Sequence, residues 1–490
     1  MGNDFIVAIE LGSSRIAGIA GTKNPDGSMQ ILAYCKEDSS TFMRKGMVYN
    51  IDKTAQCLST IVNTLQLQLH SSISKVYVGI GGNALRTIQN RVPYKMDEEK
   101  IITQEIIDSI IDENVSLHLP DMEILDVVPQ EYKVGLNLQT EPIGILSNNL
   151  EGYFLNVLIR SSIKRNIETC FEKANIEVSE YFISPKATAE VVLTDAEKRS
   201  GCALIDFGAE TTTVSVYKNN VLRFIATIPL GGNNITRDIM TERIEDKDAD
   251  MLKIKYGQAL LNLKGDESDD ATCSFDDGKR SIPSKLLGEI IEARMQEIIA
   301  NVWNQLEQSG YKSELISGLI LTGGASNMRD LVDAIKQKTG FNGNIKIMKT
   351  PASSIKLSWN EMPNDGTINT LIGLLTFGKE HCGDNEPIIP HNVKVESLIK
   401  NEVDDYKETS DMIVDDNSEE DKRREKLIKE AQIRDKEKLA ELEKEALRNR
   451  QNNPDRINEA SRKGESKKSM KQRFRNLMDS FFTDTEGNNE

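Results

Sequence analysis

A carboxylate at the end of an apolar strand, followed at once by a turn of small residues, occurs twice in this chain. IVAIELGSSRIAGIAG places Glu10 before Gly12, Ser13 and Ser14, and CALIDFGAETTTVSVY places Asp206 before Gly208 and Thr211. A glycine turn between two β-branched strands brings backbone N–H and hydroxyl groups up to an anion, and a strand-end carboxylate suits the hydration shell of a metal ion. Either copy alone reads as an ordinary hairpin. A third element alters that reading. In GLILTGGASNMRDLVDAIKQ an apolar run opens into Thr322, Gly323, Gly324 and Ala325, then into a helix with apolar positions at Met328, Leu331, Val332 and Ile335. A glycine floor at a helix start admits the flat approach of a base or ribose and favours phosphate. Two such turns facing each other would clamp a metal-bound polyphosphate.

Hydrophobic patterning supplies the elements that must hold these loops. Residues 1–84 alternate β-rich stretches with a helix over 53–69. From 85 to 168 the chain runs strand, helix (103–119), strand (124–134) and strand (152–160), a small α+β module set into the first half. Residues 166–193 read as helical with an interruption at Pro185, so that 169–200 returns the chain to the core. The second half spans 201–378. Within it 236–310 is largely helical around an acidic interruption, 265–280, whose acids lack EF-hand spacing and which reads as a surface loop or short hairpin. Residues 368–378 form an apolar helix.

With 490 residues and 38% hydrophobic content, the chain can bury a substantial core. Its six cysteines, at 35, 57, 170, 202, 273 and 382, lie far apart with no CxxC pair, which argues against a zinc site or disulfide framework and for a reducing cytoplasm. Glu10 and Arg15 break the N-terminal apolar stretch, no run reaches about 18 apolar residues, and Ile6 stands where a myristoylation site needs Ser or Thr. Secretion and membrane spanning are therefore not expected. A net charge of −16 argues against nucleic acid as a partner, so contact with anionic lipid requires a local basic patch.

Such a patch stands at the C-terminal end. Residues 384–465 are rich in Asp, Glu, Lys and Arg and poor in aromatics, so 379–465 reads as a disordered charged linker. Within it, 419–450 has strong helix formers, but Leu427, Leu439 and Leu442 are too sparse for a heptad seam; a charged helix or flexible spacer fits better than a coiled coil. Over 466–482, Met470, Phe474, Leu477, Met478, Phe481 and Phe482 share one helix face, while Lys467, Lys468, Lys471, Arg473 and Arg475 form a basic start and polar face. The pattern is that of an interfacial membrane helix; a helix docked on the protein's own core has the same periodicity. Its place at the end of a long polar linker favours the membrane.

The two carboxylate turns and the glycine loop, in this order, resemble the superfamily of actin, sugar kinases and heat-shock chaperones, in which two phosphate loops and an adenosine loop enclose ATP between related halves. RKGMVYNIDKTA (44–55), VYVGIGGNALR (76–86), ILDVVPQEYKVG (124–135), IPLGGNNITRDI (228–239), LKIKYG (252–257) and EIIEARMQEI (289–298) narrow this to similarity with the bacterial cell-division protein FtsA family. The similarity covers 4–378 and returns at the C-terminus. It implies an α/β, duplicated actin-like (ribonuclease H-like) fold, with the inserted α+β subdomain replacing the usual actin subdomain and contacting neighbouring protomers and later division proteins.

The resemblance also distributes roles. Gly12, Ser13, Ser14 and Arg15 would meet the phosphates of ATP from one side, and Gly208, Ala209, Glu210 and Thr211 from the other. Glu10 and Asp206 would orient the waters of Mg²⁺. Asp250 and Lys253 would reach the ribose or base, and Gly323, Gly324, Ala325 and Asn327 would floor the adenosine pocket. Gly231, Gly232 and Asn233 either line the same cleft or make a structural turn. Arg294 and, more weakly, Lys285 are contacts for the C-terminal peptide of FtsZ; a solvated helix-face charge is the alternative for Arg294. Two departures stand out. Glu10 replaces the usual Asp, and the water-positioning glutamine of actin has no counterpart, with Glu190 the nearest polar candidate. Poor positioning of water predicts at most slow ATP hydrolysis. The implied protein assembles into polymers and tethers FtsZ at the septum, held peripherally on the cytoplasmic side of the inner membrane. A sugar or acetate-type kinase has no use for the terminal helix, and rod-shape or pilus-assembly relatives lack the insert or the anchor.

Overall fold

Two β-sheets of the same design organise the molecule. The structure, a computed structural model, describes residues 5–24, 28–261, 271–276, 278, 280–351 and 363–383. These all fall within one unit, Met1–Ile389; the second unit, Pro390–Glu490, lies outside the described residues, and with it the membrane helix expected over 466–482. The linker expected over 379–465 is outside them from residue 384 onward.

Along the chain, β1 (Ile6–Leu11), β2 (Arg15–Lys23) and β3 (Met29–Asp38) are followed by a small hairpin, β4 (Met43–Arg44) and β5 (Met47–Val48). Helix α1 (Ile51–Leu69) and β6 (Lys75–Ile80) come next. The insert holds β7 (Leu85–Ile101), α2 (Gln104–Val115), β8 (Met122–Val134), β9 (Asn137–Gln139) and β10 (Leu146–Arg160). The chain then returns through α3 (Ser161–Lys173), β11 (Glu177–Ile183), α4 (Ser184–Val192) and α5 (Asp195–Ser200). The second half contains β12 (Cys202–Phe207), β13 (Thr212–Lys218), β14 (Val221–Ile228), α6 (Gly232–Met240), α7 (Asp246–Tyr256), the hairpin β15 (Thr272–Ser274) and β16 (Ser281–Pro283), α8 (Ser284–Gln308), β17 (Gly318–Thr322), α9 (Leu331–Thr339), β18 (Ile345–Ile347) and α10 (Asn369–Phe377).

The first sheet has the order β11-β6-β1-β2-β3, and the second, read from its other edge, β18-β17-β12-β13-β14. In each the first carboxylate strand is parallel to the strand on one side and antiparallel to its hairpin partner on the other. The strands are apolar on both faces because helices cover them, as parallel pairing requires. Asn50 starts α1 by accepting the Lys53 N–H at 3.0 Å, and Leu58, Ile61 and Leu65 pack it onto the first sheet. Helix α10 lies against α4 so closely that a Cβ on Gly373 would sit 1.9 Å from the Ala187 carbonyl oxygen. The apolar helix expected over 368–378 thus packs into the core of the first half, and at its start Asn369 reaches the second half by donating to the Thr322 hydroxyl at 3.0 Å.

The insert is a sheet of order β7-β10-β8-β9 with its own core around Ile107, Ile110, Tyr132 and Phe154. Buried Asn114 pins α2 to it, exchanging amide hydrogen bonds with Asn156 at 2.8 and 3.0 Å and accepting from Asn90 at 2.9 Å. Three expectations need correction. Residues 166–193 are not helical throughout: EVSEYFI forms β11, because its alternating residues pair with β6 in parallel. Helix α3 packs on α1 of the first half, so the inserted sheet ends at Arg160 rather than near 168. Residues 324–327 form a tight 3-10 turn, and the helix after the glycine loop begins at Leu331, later than the periodicity through Met328 suggests. Of the interruption expected over 265–280 as a loop or short hairpin, Thr272–Ser274 forms β15, which pairs with β16 just past its end as a short hairpin, while 265–270, 277 and 279 lie outside the described residues.

Candidate functional site

Glu10 and Asp206 are each the fifth residue of a six-residue strand, and a short turn, three residues (12–14) in the first case and four (208–211) in the second, leads back into the antiparallel partner. The same backbone constraint selects glycine in both turns. A Cβ on Gly12 would lie 2.5 Å from the Arg15 carbonyl oxygen, and one on Gly208 2.7 Å from that of Thr211. In the second turn the Gly208 N–H donates to that same carbonyl at 2.9 Å. Strand ends, turns and helix starts from both halves enclose a cleft of about 640 Å³.

Its walls bring together Glu10, Gly12, Ser13, Ser14 and Arg15 from the first half with Asp206, Gly208, Ala209, Glu210 and Thr211 from the second. Gly232, Asn233, Asp250, Lys253, Gly323, Gly324, Ala325 and Asn327 also line it. Gly231 does not; it supports the second turn from behind, where a Cβ would sit 2.6 Å from the Gly208 carbonyl oxygen. Glu190 is displaced from the cleft, its carboxylate bonded to Lys198 at 2.9 Å. The wall beside the first turn is instead made by Ser184 and Pro185, where α4 begins. Sequence reading passed over them; a Ser-Pro helix start directly after an apolar strand was the available signal.

The carboxylates face a hydrated cleft but are otherwise surrounded by protein. Burial pushes Glu10 up to about 7, against the pull of the Arg15 guanidinium and the Thr370 hydroxyl, while the Asp206 charge raises it further. Burial likewise pushes Asp206 up to about 6, with Arg15 opposing. Arg15 is held for this task by donating to the Thr367 carbonyl at 2.5 Å. Two like charges at one end of a cleft with a single guanidinium leave a deficit of positive charge. Among the described residues no group of three or more metal-type side chains gathers, so a pair of carboxylates fits an ion that keeps most of its water, as Mg²⁺ does.

The glycine-loop end of the cleft is rigid by construction. Gly323 has φ +85°, and a Cβ there would stand 2.2 Å from Asp206 Oδ1, so the loop presses on the carboxylate strand. Asn327 Nδ2 ties this loop to the Asp365 carbonyl at 2.7 Å. Lys253 is anchored by the Thr236 hydroxyl at 2.7 Å and by Asp250, one turn before it on α7. Glu210 is buried and spans the halves: one oxygen accepts the Lys45 N–H at 2.7 Å, and the other pairs with Arg237. The Ser13 hydroxyl accepts the Gly46 N–H at 2.8 Å. Lys45 and Gly46 thus touch both carboxylate turns, which the sequence did not disclose.

Away from the cleft, Arg294 on α8 forms a two-pronged pair with Asp238 of α6, at 2.6 and 2.8 Å, and also meets Glu297. Lys285 is exposed at the start of the same helix.

Two related halves, each a sheet with one carboxylate turn, closing on a glycine-floored cleft, define an actin-like fold. A solved chain of the PilM-PilN type IV pilus biogenesis complex is similar at a TM-score of 0.56 and 15% identity, over 76% of this chain and 97% of that one. Residues 203–360 match the family described as Cell division protein FtsA, and residues 82–158 the SHS2 domain inserted in FTSA. The Cell division protein FtsA of Porphyromonas gingivalis is 30% identical over 392 residues, 78% of this chain and 80% of its own length. That of Neisseria meningitidis is 33% identical over 334 residues, 67% of this chain and 80% of its own. The chain belongs to the FtsA family of cell-division proteins.

Proposed function

We propose that this protein binds Mg-ATP between its two halves, assembles into polymers, and tethers FtsZ to the cytoplasmic face of the inner membrane at the septum. One observation carries the nucleotide reading: the equivalent carboxylate turns of the two sheets converge on one cleft, where burial raises both carboxyls further than the Arg15 guanidinium lowers them. In that reading Glu10 and Asp206 hold the waters of the ion, which draws charge from the phosphates. The N–H groups and hydroxyls of 12–15 and 208–211 receive the phosphates, and Lys253 and the 323–327 loop receive the nucleoside. Hydrolysis is slow. Glu190 is bonded to Lys198 outside the cleft; of the residues that stand at that wall instead, the Ser184 hydroxyl is a weak base and Pro185 offers no basic side-chain atom.

Attachment is assigned to 466–482, outside the described residues; among those described no helix is long and apolar enough to cross a membrane. If its six large apolar residues each bury half their surface, the gross gain is on the order of 6 kcal/mol, and nearby basic residues add to it on anionic lipid. A single copy is a reversible anchor, and polymerisation multiplies anchors through effective concentration. Later division proteins are assigned to the insert. Arg294 and Lys285 are the FtsZ contacts, which requires an acidic peptide to compete with Asp238 for Arg294.

Co-sedimentation with anionic liposomes tests the tether: a carrier bearing the FtsZ C-terminal peptide is offered to the full-length chain and to a truncation after Gly464. Carriage to the pellet by the full-length chain alone supports both ends. A pelleted protein with the peptide left in the supernatant removes the FtsZ assignment and keeps the anchor.

A further inference from the structure

Strand β8 of the insert touches both halves of the molecule within a few residues. Asp126 accepts from Lys186 Nζ at 2.8 Å, and Lys186 follows Ser184 and Pro185 where α4 borders the cleft. Farther along, Gln130 donates its amide to the Leu222 carbonyl of β14 at 2.9 Å. The Gln130 carbonyl and the Glu131 carboxylate receive Arg223 at 3.4 and 3.3 Å. Arg223 is 5% exposed, a buried cation whose carboxylate partner is Glu131. Strand β14 is an edge, whose outward carbonyls need donors, and the insert supplies them. Beneath these bonds Val128 joins Leu222 and Ile225 in one apolar cluster.

The joint is firm at one point and loose at others. Between the insert and β14, among the described residues, the Gln130 amide bond is at full-strength length, while those of Arg223, and of the Thr87 hydroxyl to the Ile225 carbonyl at 3.4 Å, are long. Tyr217 on neighbouring β13 is 5% exposed, and its hydroxyl has no hydrogen-bond partner among the described residues. Burial pushes its pKa up, and Cys202, Glu190 and Asp126 add to the rise, so the Asp126 carboxylate is within electrostatic reach without bonding it. A buried donor without an acceptor carries uncompensated desolvation. The cleft also has a direct line to the root of the insert: Lys45, whose N–H is held by Glu210, accepts the Asn83 N–H on its carbonyl at 2.9 Å.

We propose that β8 is a strut that ties the orientation of the insert to the angle between the two halves, so that a nucleoside triphosphate in the cleft changes the surface the insert presents to other proteins. This rests on the nucleotide reading above. Coupling of this kind is reciprocal, so whatever binds the insert alters nucleotide affinity by the same factor.

Hydrogen exchange of the full chain with and without Mg-ATP reads both ends. Peptides over 206–213 report the cleft, and those over 122–134 and 221–228 report the strut. Protection at the cleft should accompany a change of about threefold or more in exchange at the strut. Gln130→Ala should abolish the second response, keep the first, and shift the ATP Kd by about fivefold or more, although Gln130 lies outside the cleft. Glu131→Lys sets a like charge against Arg223 and should act the same way, with unchanged exchange over 6–23 and 318–322 showing that both variants are folded. Cleft protection with an unresponsive strut, or variants that respond like wild type, would overturn the strut alone. No protection at the cleft would remove the nucleotide reading and the strut with it.

Discussion

Replacing Glu10 by glutamine should stabilise the ligand-free protein at pH 8 and leave it nearly unchanged at pH 5. The folded carboxyl is pushed up to about 7 from an ordinary 4.5. Between those values the folded state binds a proton that the unfolded chain has released, so stability falls as pH rises through the window and the cost is complete above 7. A displacement of that size corresponds to about 3 kcal/mol, reduced to about 2–3 kcal/mol because water in the cleft screens the charge. Glutamine keeps the shape and cannot ionise. It therefore escapes the cost at pH 8 and resembles the protonated carboxyl at pH 5. Asp206, pushed up to about 6, adds a slope of the same sign over a lower window.

The assay is thermal unfolding of wild type and Glu10→Gln in EDTA from pH 5 to 8, read as the difference in Tm so that carboxyls elsewhere cancel. A gap of about 5 °C should open in favour of the variant as pH rises. Mg²⁺ with ATP should stabilise wild type more at pH 8 than at pH 5, because the cation takes the proton's place. A gap that stays constant across the range, or opens toward acid, would refute the argument that the two carboxylates are short of positive charge.

Gly323→Ala forces a side chain into a φ of +85° and against Asp206, and should cost at least about 2 kcal/mol and abolish ATP binding in calorimetry; normal affinity would show that the loop yields. Tyr217→Phe removes a buried hydroxyl that has no partner among the described residues, so it should raise stability by about 1 kcal/mol, and a loss of that size would mean the hydroxyl is satisfied. Arg294→Ala should weaken capture of the FtsZ peptide about tenfold, whereas Asp238→Asn, which frees the guanidinium, should strengthen it. Equal affinities in fluorescence anisotropy would sink that contact. Phe474→Glu or Phe481→Glu should release the chain from anionic liposomes with its circular dichroism intact, and retained pelleting counts against the anchor.

Much of the site was legible because its chemistry is local. A carboxylate, a glycine and a hydroxyl within a few residues mark a turn wherever the strands fold, and both turns reach the cleft. What the sequence hid depends on distant neighbours. The carboxylate of Glu190 is close in sequence to the expected position, but it points to Lys198, and Ser184 and Pro185 fill the wall. Lys45 and Gly46 contribute N–H groups, and a backbone donor has no side-chain signature. EVSEYFI was read as helix because a short segment next to helical sequence shows little of its period; pairing with β6 decided the matter. Arg294 reads in sequence as a peptide contact or a solvated helix-face charge, and its pairing with Asp238 stayed hidden because that partner stands 56 residues away.

The substitution of glutamate for the shorter acid in the first turn has a physical account in how the halves are joined. Thr370 on α10 lowers the cost of ionising Glu10, and its hydroxyl also meets that of Thr188 on α4 at 2.8 Å. The extra methylene carries the carboxylate toward this pair, so the first acid is wired to the two helices that pack through Gly373. Asp206 has no such helix partner and is pressed instead by the glycine loop at its own strand end. The two turns share a backbone design, yet one acid leans on α4 and α10 and the other on the glycine loop. Charge placed between them would therefore bear at once on the helix packing of the first half and on the 323–327 loop of the second, which is how the proposed nucleotide would couple the two.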